Sequence, residues 1–469
     1  MDDVNLSLIR KTPLSQAVLM VLSHATQDSF LDDLYDRNRG RCYEKTLSFS
    51  TLVYLIRDAL LQHSGSGRKS CDHAAENQAL PVTPSAFYRK LSRIPLVVSH
   101  ALLSETAVRI GKLSPTHESS PIPVSLRGMV LLPVDGKKIK NVAKRAVFLR
   151  DLPGAVLGAK VLVALRLDQG IAVALEANPD GEANDCPLVG GLVTQVRQVV
   201  EGTRLFIADR QFCGVEQLNL FGADGDHYLI RRTTTARFTP DPNQPAVSGT
   251  DTRGRNYVHC MGTLFTGPQA RPMRQITLTR PGEETITLIT DLQDQTTFPA
   301  TDLLDAYLLR WGIERVFQQI TEVFSLNSLI GGSPEAVVFQ CSFCLMLYNV
   351  LRVVRDIIAT THSRDPETVS IEKVFSDMHD QFTALRVMGL LDEMDAAFLE
   401  PTTTAQSRAA LQKLLRHTWS DRWIKAPPKK KVPKCKPAKK SGAHTSVLRA
   451  KQAYEKRQAR LKRRRQQEQ

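Results

Sequence analysis

A chain of 469 residues with 42% hydrophobic and 23% charged residues can bury a large core, which excludes a disordered protein and by length suggests two to four domains. Its eight cysteines lack the paired spacing of a secreted disulfide framework, and MDDVNLSLIRKTPL lacks the basic, apolar and small-residue order of a signal peptide, so a reducing cytosol is expected. The net charge of +14 is unevenly placed: residues 425–469 hold 17 Lys and Arg against Glu455 and Glu468, a net +15, leaving −1 for the remainder.

Residues 1 to about 120 show helical apolar periodicity in SQAVLMVLSHA and SFSTLVYLIRDALLQ, then a break at HSGSGRKS. TPSAFYRKLSRIP follows as a short helix, with Thr83 as N-cap, Pro84 at its first position, and Tyr88, Arg89, Lys90 and Arg93 on its exposed side. Such a basic helix after a turn suits a DNA groove, and it suits an ordinary surface equally well.

From residue 121 the pattern changes to strands. RGMVLLPVD (127–135), AKVLVALRLD (159–168) and IAVALEANPD (171–180) are short Val/Leu-rich runs, with Asp168, Gln169 and Gly170 as the hairpin turn between the last two. CPLVGGLVTQVRQVV has helical spacing, and TRLFIAD (203–209) is a fourth buried strand. Three strands, a helix and a strand make the first half of a ribonuclease H-like layout. DHYLIRRT (226–233) is a fifth strand, and about 234–295 alternates Thr, Arg and Val with Pro and Gly, the pattern of a β-rich insertion.

Helices resume at FPATDLLDAYLLRW. The apolar stretch 336–359 is interrupted by Gln340, Asn349, Arg352 and Arg355, which points to a buried core helix rather than a membrane span of about 20 uncharged residues. In the tail, proline and like-charge repulsion keep IKAPPKKKVPKCKPAKK extended, whereas SVLRAKQAYEKRQARLKRRRQQEQ is able to become helical on a polyanion. Such a tail suits phosphate contacts made without sequence readout; a solubilising role or a nuclear-import signal uses the same composition.

Asp135 (LLPVDGKKIK) and Asp209 (LFIADRQF) both follow buried strands, and strand ends beside a crevice are where open α/β sheets bind ligands. A third carboxylate comes from YLLRWGIERVFQQI (307–320). At about 100° per residue, Tyr307, Arg310, Glu314 and Thr321 lie along one stripe of a helix, and Leu309, Ile313, Val316 and Ile320 along another. A simple surface pair of Arg310 with Glu314 is the plainer explanation, although the favoured order puts Glu before Arg.

Together these features resemble the DDE transposases of bacterial insertion sequences, in the group whose third carboxylate sits in a Tyr-x2-Arg-x3-Glu-x6-Lys signature. The resemblance covers about residues 125–350 and rests on VDGKKIK, NPDGEANDCPLV, FIADRQF and YLLRWGIERVFQQI. By position it implies that Asp135, Asp209 and Glu314 are the catalytic, metal-binding triad and that Tyr307 and Arg310 contact phosphates at the element's end. One position departs: the family's lysine falls on Thr321, and no lysine occurs from 308 to 372. Lys137, Lys138, Lys140, Lys144 and Arg145 follow Asp135 closely and suit either DNA contact or a solvated basic hairpin.

Cleaving a phosphodiester calls for stabilised charge on both the attacking and leaving oxygens, which two divalent ions about 4 Å apart provide. Carboxylate oxygens suit Mg²⁺, with Mn²⁺ as a substitute. Without metal the three carboxylates repel by roughly 4 kcal/mol per pair at 4 Å and an effective dielectric of 20, so the empty triad should be loose or partly protonated.

The resemblance thus implies a transposase acting on transposon ends and target DNA as a homodimer, with Mg²⁺, no membrane and no small-molecule substrate, in the bacterial cytoplasm at the nucleoid. The expected fold is α/β, a ribonuclease H-like mixed sheet with a β-rich insertion, flanked by helical N- and C-terminal regions. Its expected divisions are a helical DNA-binding domain (1–120), a catalytic core (121–335, insertion at about 234–295), a helical region (336–424) and a basic disordered tail (425–469). Rival readings are an inactive DNA-binding derivative, which Thr321 favours, and a metal-dependent nuclease without strand transfer.

Other signals point to structure. Cys341 and Cys344 form a CxxC inside the apolar helix with no second pair at zinc spacing. Cys71 and His73 suggest loop residues more than a metal, and Asp180, Glu182 and Asp185 lack calcium-loop order, so Asn184 or Asp185 is expected to cap the next helix.

Overall fold

The computed structural model describes residues 8–42, 47–76, 83–115, 121–251, 253–280, 282, 284–324, 326, 328–390, 403–426 and 444–467. Its strands are β1 (Val130–Ile139), β2 (Val156–Leu157), β3 (Ala159–Arg166), β4 (Ile171–Asn178), β5 (Arg204–Ala208), β6 (His227–Arg231), β7 (Phe238–Pro240), β8 (Val247–Thr250), β9 (Asn256–Leu264), β10 (Arg271–Leu278), β11 (Ile286–Thr290) and β12 (Thr445–Ser446). The helices are α1 (Pro13–Ala25), α2 (Asp28–Asn38), α3 (Phe49–Gln62), α4 (Gly67–Glu76), α5 (Pro84–Leu91), α6 (Leu96–Gly111) and α7 (Val189–Val199), then α8 (Val215–Phe221), α9 (Ala300–Leu309), α10 (Trp311–Glu322), α11 (Pro334–Thr361), α12 (Ile371–Val387), α13 (Thr404–Leu415) and α14 (Val447–Gln467).

Ten strands form one mixed sheet in the order β4-β3-β1-β5-β6-β11-β10-β9-β7, with β8 on β9. β3 is antiparallel to β1 and β4, while β5 runs parallel to β1 and β6 parallel to β5, which is the ribonuclease H-like arrangement. The β3–β4 turn closes through Gly170 at φ +65°, a conformation glycine takes without the Cβ penalty. The strands between 238 and 290 extend the same sheet, because β11 pairs antiparallel with β6.

Near-continuous Val, Leu and Ile runs make these strands apolar on both faces, as a sheet covered on both sides requires. One face places Leu132, Val134, Phe206 and Ala208 against Leu192, Val193 and Val196 of α7. The alternate residues Leu131, Leu205, Ile207 and Leu229 pack with Leu303, Leu304 and Tyr307 of α9. On that same side Ile139, Val161 and Val163 share a core with Ile313, Val316 and Phe317 of α10 and with α11.

That last core also takes in Leu22, Phe49, Leu103, Phe339, Phe343 and Met378, so α1, α3 and α6 pack with α11 and α12. Ser342 of α11 donates to Ser99 O of α6 at 2.6 Å. Residues before 120 therefore share a core with helices more than 200 residues later. Thr83 caps α5 as expected, accepting from Ala86 N at 3.2 Å. On that helix Arg89 is exposed, while Lys90 is tied to Leu47 O and lies over the Tyr35 ring.

α11 is long and apolar enough to cross a membrane, yet 94% of its most apolar window is buried inside the protein. The polar residues that interrupt it are fasteners. Asn349 Oδ1 accepts from Ala172 N and its Nδ2 donates to Ala172 O, each at 2.8 Å, which clips the helix to β4. Gln340 bonds Ile330 N and Ser328 O, and Arg352 and Arg355 pair with Asp356 and Glu367. Cys341 and Cys344 are fully buried; burial pushes the first thiol up to about 12 and the second well above its ordinary value.

Residues 427–443 of the expected disordered tail lie outside the described residues. Beyond them the structure differs from that expectation, since β12 pairs parallel with β2 and α14 is helical to Gln467. The anchor is the loop after β4. Ser446 N donates to Glu182 Oε1, and Arg449 pairs with Asp180 at 2.7 Å and Glu182 at 2.8 Å. Past Ala450 the helix is almost wholly exposed.

Candidate active site

Asp135 lies within β1, four residues before that strand ends at Ile139, and not at its end as the sequence pattern suggests. What ends there is the neighbour: Val134 pairs with Ala208, the last residue of β5, so Asp135 and Asp209 are next in line across adjacent parallel strands. Parallel strands lie about 4.8 Å apart, which sets the scale of their separation. Strand alternation puts Asp135 on the side of Leu131, and Asp209 on the side of Leu205 and Ile207. That is the face α9 and α10 cover.

The 307–320 segment is helical but breaks at Arg310, between α9 and α10. Arg310 N donates to Tyr307 O and Ile313 N to Arg310 O, each at 3.1 Å and each spanning three residues, a tighter turn than the α-helical four. The break turns the Arg310 side chain inward, leaving it 5% exposed with Tyr307 at 4%. Its guanidinium lies 5.7 Å from the Tyr307 ring centre and 5.0 Å from the Trp311 ring, and donates to Glu314 Oε1 at 3.1 Å.

Arg310 is the hub of the site. Burial opposes its charge, but Tyr307, Asp135, Asp209 and Glu314 outweigh that and raise its pKa above the ordinary value. Asp135 is pushed up to about 6, first by burial; Glu314 and Asp185 push the same way, while the Gly136 N–H and Arg310 oppose them. Burial likewise pushes the Tyr307 hydroxyl up to about 12, with Asp209 adding to the rise. Asp135 and Asp209 thus lie on the sheet face covered by the helices that carry Tyr307, Arg310 and Glu314. Among the described residues the three carboxylates do not form a group whose oxygens all lie within 4.8 Å of one another.

The expected basic residues separate. Lys138 and Lys140 are exposed, whereas Lys137 is half-buried, donates to Phe317 O at 3.3 Å and lies over the Phe317 ring, tying β1 to α10. Lys144 bonds Leu152 O. Thr321 donates to Phe317 O at 2.6 Å, a bond within its own helix, and Arg315 is exposed.

A buried ion pair, Lys160 with Asp185, was not expected from the sequence. Asp185 stands at the N-cap of the single 3-10 turn Cys186–Leu188, but its carboxylate caps nothing. It pairs with Lys160 of β3 at 2.7 Å, both side chains under a tenth exposed, directly over Gly136. A Cβ on Gly136 would fall 2.1 Å from Asp185 Oδ1, which explains a glycine directly after Asp135. The signal was Lys160 itself, since a lysine inside an apolar strand requires a buried partner. At the rim, Glu284 pairs with Arg231 at 2.8 Å and Arg210 at 3.6 Å.

Residues 132–350, which carry all three carboxylates, match the family model described as the transposase DDE domain. Over this stretch, a little under half of the chain, the sequence is similar to a transposase DDE domain. A shorter stretch is 32% identical over 82 residues to y4zB of Sinorhizobium fredii, a protein itself named only as a candidate transposase; the match covers 18% of this chain and 22% of that relative. The chain is also similar to the piggyBac transposase in a cryo-EM synaptic complex with hairpin DNA, at TM-score 0.40 and 11% identity over 88% of this chain and 87% of that one, too loosely to align individual residues. The expected donor set suits a hard divalent cation, since it offers carboxylate oxygens only, and one of them, Glu314, already accepts from a cation, the Arg310 guanidinium.

Proposed function

We propose that this protein is a metal-dependent DNA transposase, in which Asp135, Asp209 and Glu314 hold Mg²⁺ or Mn²⁺, cut at the ends of a mobile element and join the freed 3′ hydroxyl to target DNA. The observation that carries the reading is that Asp135 and Asp209 stand next in line on adjacent parallel strands, on the sheet face covered by the helices in which buried Arg310 pairs with Glu314, all within the stretch that matches the DDE domain. When bound, the divalent ions supply charge for the attacking and leaving oxygens of the phosphodiester.

The chain's own groups do the rest. Asp135 must be ionised to act as a ligand, and burial delays this to about pH 6. Arg310, permanently charged and held by Tyr307 and Glu314, positions a backbone phosphate beside the carboxylates. Lys137 fixes β1 against α10, so the carboxylates from strand and helix keep their spacing, and the exposed Lys138 and Lys140 take the DNA backbone. α14, with nine Lys and Arg against Glu455, adds phosphate contacts without reading bases. The substrate is the element's two ends and the target, handled by a homodimer.

A second reading, a DNA-binding protein that no longer cuts, is favoured by Thr321, whose hydroxyl is committed to Phe317 O where the resemblance expects a lysine. Metal binding tests the first reading. Mn²⁺ should raise the melting temperature of the wild type and less so that of Asp209→Ala, and equal shifts in both would overturn it.

A further inference from the structure

Away from the DDE site, α3 and α4 join through a tight turn, His63-Ser64-Gly65-Ser66, with Ser64 at φ +49° and Gly65 at φ +81°. The turn folds the two helices against each other and brings three side chains together. Asp58 of α3 is 1% exposed, and neither carboxylate oxygen accepts a hydrogen bond. His63 follows the end of α3, with Nε2 3.2 Å from Asp58 Oδ2 and in no hydrogen bond. His73 of α4 places Nδ1 3.7 Å from Asp58 Oδ1, and the two imidazoles meet edge to face with centres 5.4 Å apart.

A buried carboxylate without hydrogen bonds costs several kcal/mol unless a charge compensates it. One buried carboxylate flanked by two imidazoles makes a ligand set. Among the described residues it is the group of His, Cys, Asp or Glu side chains whose ligand atoms all lie within 4.8 Å of one another. A tetrahedral ion with bonds of about 2.0–2.1 Å spaces its ligand atoms about 3.4 Å apart, and the two imidazole–carboxylate distances, 3.2 and 3.7 Å, bracket that value. Imidazole nitrogen selects zinc-class ions over Mg²⁺ or Ca²⁺.

We propose that Asp58, His63 and His73 bind one zinc-class divalent ion, with water completing its shell, and that the ion clasps α3 to α4. The site shares no residue with the carboxylates at Arg310 and does not depend on their role. Its sequence signal was weak because Asp58 and His73 lie 15 positions apart and His73 sits in a helix, not in the loop that the Gly/Ser break suggests.

The experiment titrates the chelator-stripped full chain with Co²⁺ and follows its visible absorption, then its displacement by Zn²⁺. Wild type and the Asp135→Asn/Asp209→Asn double variant should each bind one tetrahedral Co²⁺ that Zn²⁺ displaces. Asp58→Asn and His73→Gln should bind it at least tenfold more weakly and lose the zinc-dependent rise in melting temperature. Unchanged affinity in His73→Gln, or no tetrahedral Co²⁺ in wild type, would overturn the proposal. Should a variant fail to fold, the paramagnetic resonance of Co²⁺-loaded wild type decides: imidazole nitrogen couplings support the site and their absence refutes it.

Discussion

Gly136→Ala tests how closely the site is built. The new Cβ would lie 2.1 Å from Asp185 Oδ1, 2.4 Å from its Cγ and 2.6 Å from its Oδ2, far inside contact distance. Asp185 is 5% exposed and Lys160 holds it at 2.7 Å, so relief requires the carboxylate to move and the buried ion pair to stretch or break. Overpacking alone costs about 1–3 kcal/mol, and separating a buried pair about 3–5 kcal/mol. Partial relaxation of the strand brings the expected loss to about 2–4 kcal/mol in chemical denaturation. A Lys160→Met/Asp185→Leu background would keep the crowding, whereas Lys160→Met/Asp185→Ala removes carboxylate and charge together; there Gly136→Ala should cost less than about 1 kcal/mol. A cost in the wild-type background of under 0.5 kcal/mol, or one equal in both backgrounds, would refute the reasoning; the threshold is about the scatter of independent sites.

Three further outcomes are expected. Arg310→Gln removes the cation that opposes burial at Asp135. Because that carboxyl is already pushed up to about 6, the stability its protonated form contributes is lost as pH rises through 6, so the variant's deficit should widen from pH 5 to pH 8 in denaturant melts, and an equal deficit at both would rule out a charge effect. Glu367 shows the opposite sign: burial would raise its pKa, but Arg355, Arg352 and Lys425 hold it down to about 2. Its stabilisation is therefore present above pH 4.5 and lost as pH falls toward 2; with the side chain nearly half exposed, Glu367→Gln should cost about 1–2 kcal/mol at pH 7 and little near pH 2. Arg449→Ala should release the β12–β2 pairing, seen as faster proteolysis around 444–450 with the melting temperature unchanged; unchanged cleavage would refute the anchoring role of Asp180 and Glu182.

The core strands were legible because each is a short apolar run closed by turn residues, and Asp168-Gln169-Gly170 sits where the chain reverses. The carboxylates were legible for the same reason: Asp135 and Asp209 are the first polar residues after such runs. Features that depend on distant partners were hidden. Lys160 and Asp185 meet only because β3 and the loop before α7 converge on Gly136. The break at Arg310 between α9 and α10 leaves no mark in a 3.6-residue period. Gln340 and Asn349 look like flaws in an apolar helix until their backbone partners at 328–330 and 172 are known. α14 carries so much like charge that it favours a solvated coil by composition, yet Asp180 and Glu182 give its first turn a counter-charge.

The most direct measurement is metal-dependent nicking of DNA bearing the ends of the element that encodes this protein, comparing wild type with Glu314→Gln. Loss of nicking in the variant, with DNA binding retained, is the result the account predicts. Nicking by Glu314→Gln at the wild-type rate, or binding without nicking by both proteins, would contradict it.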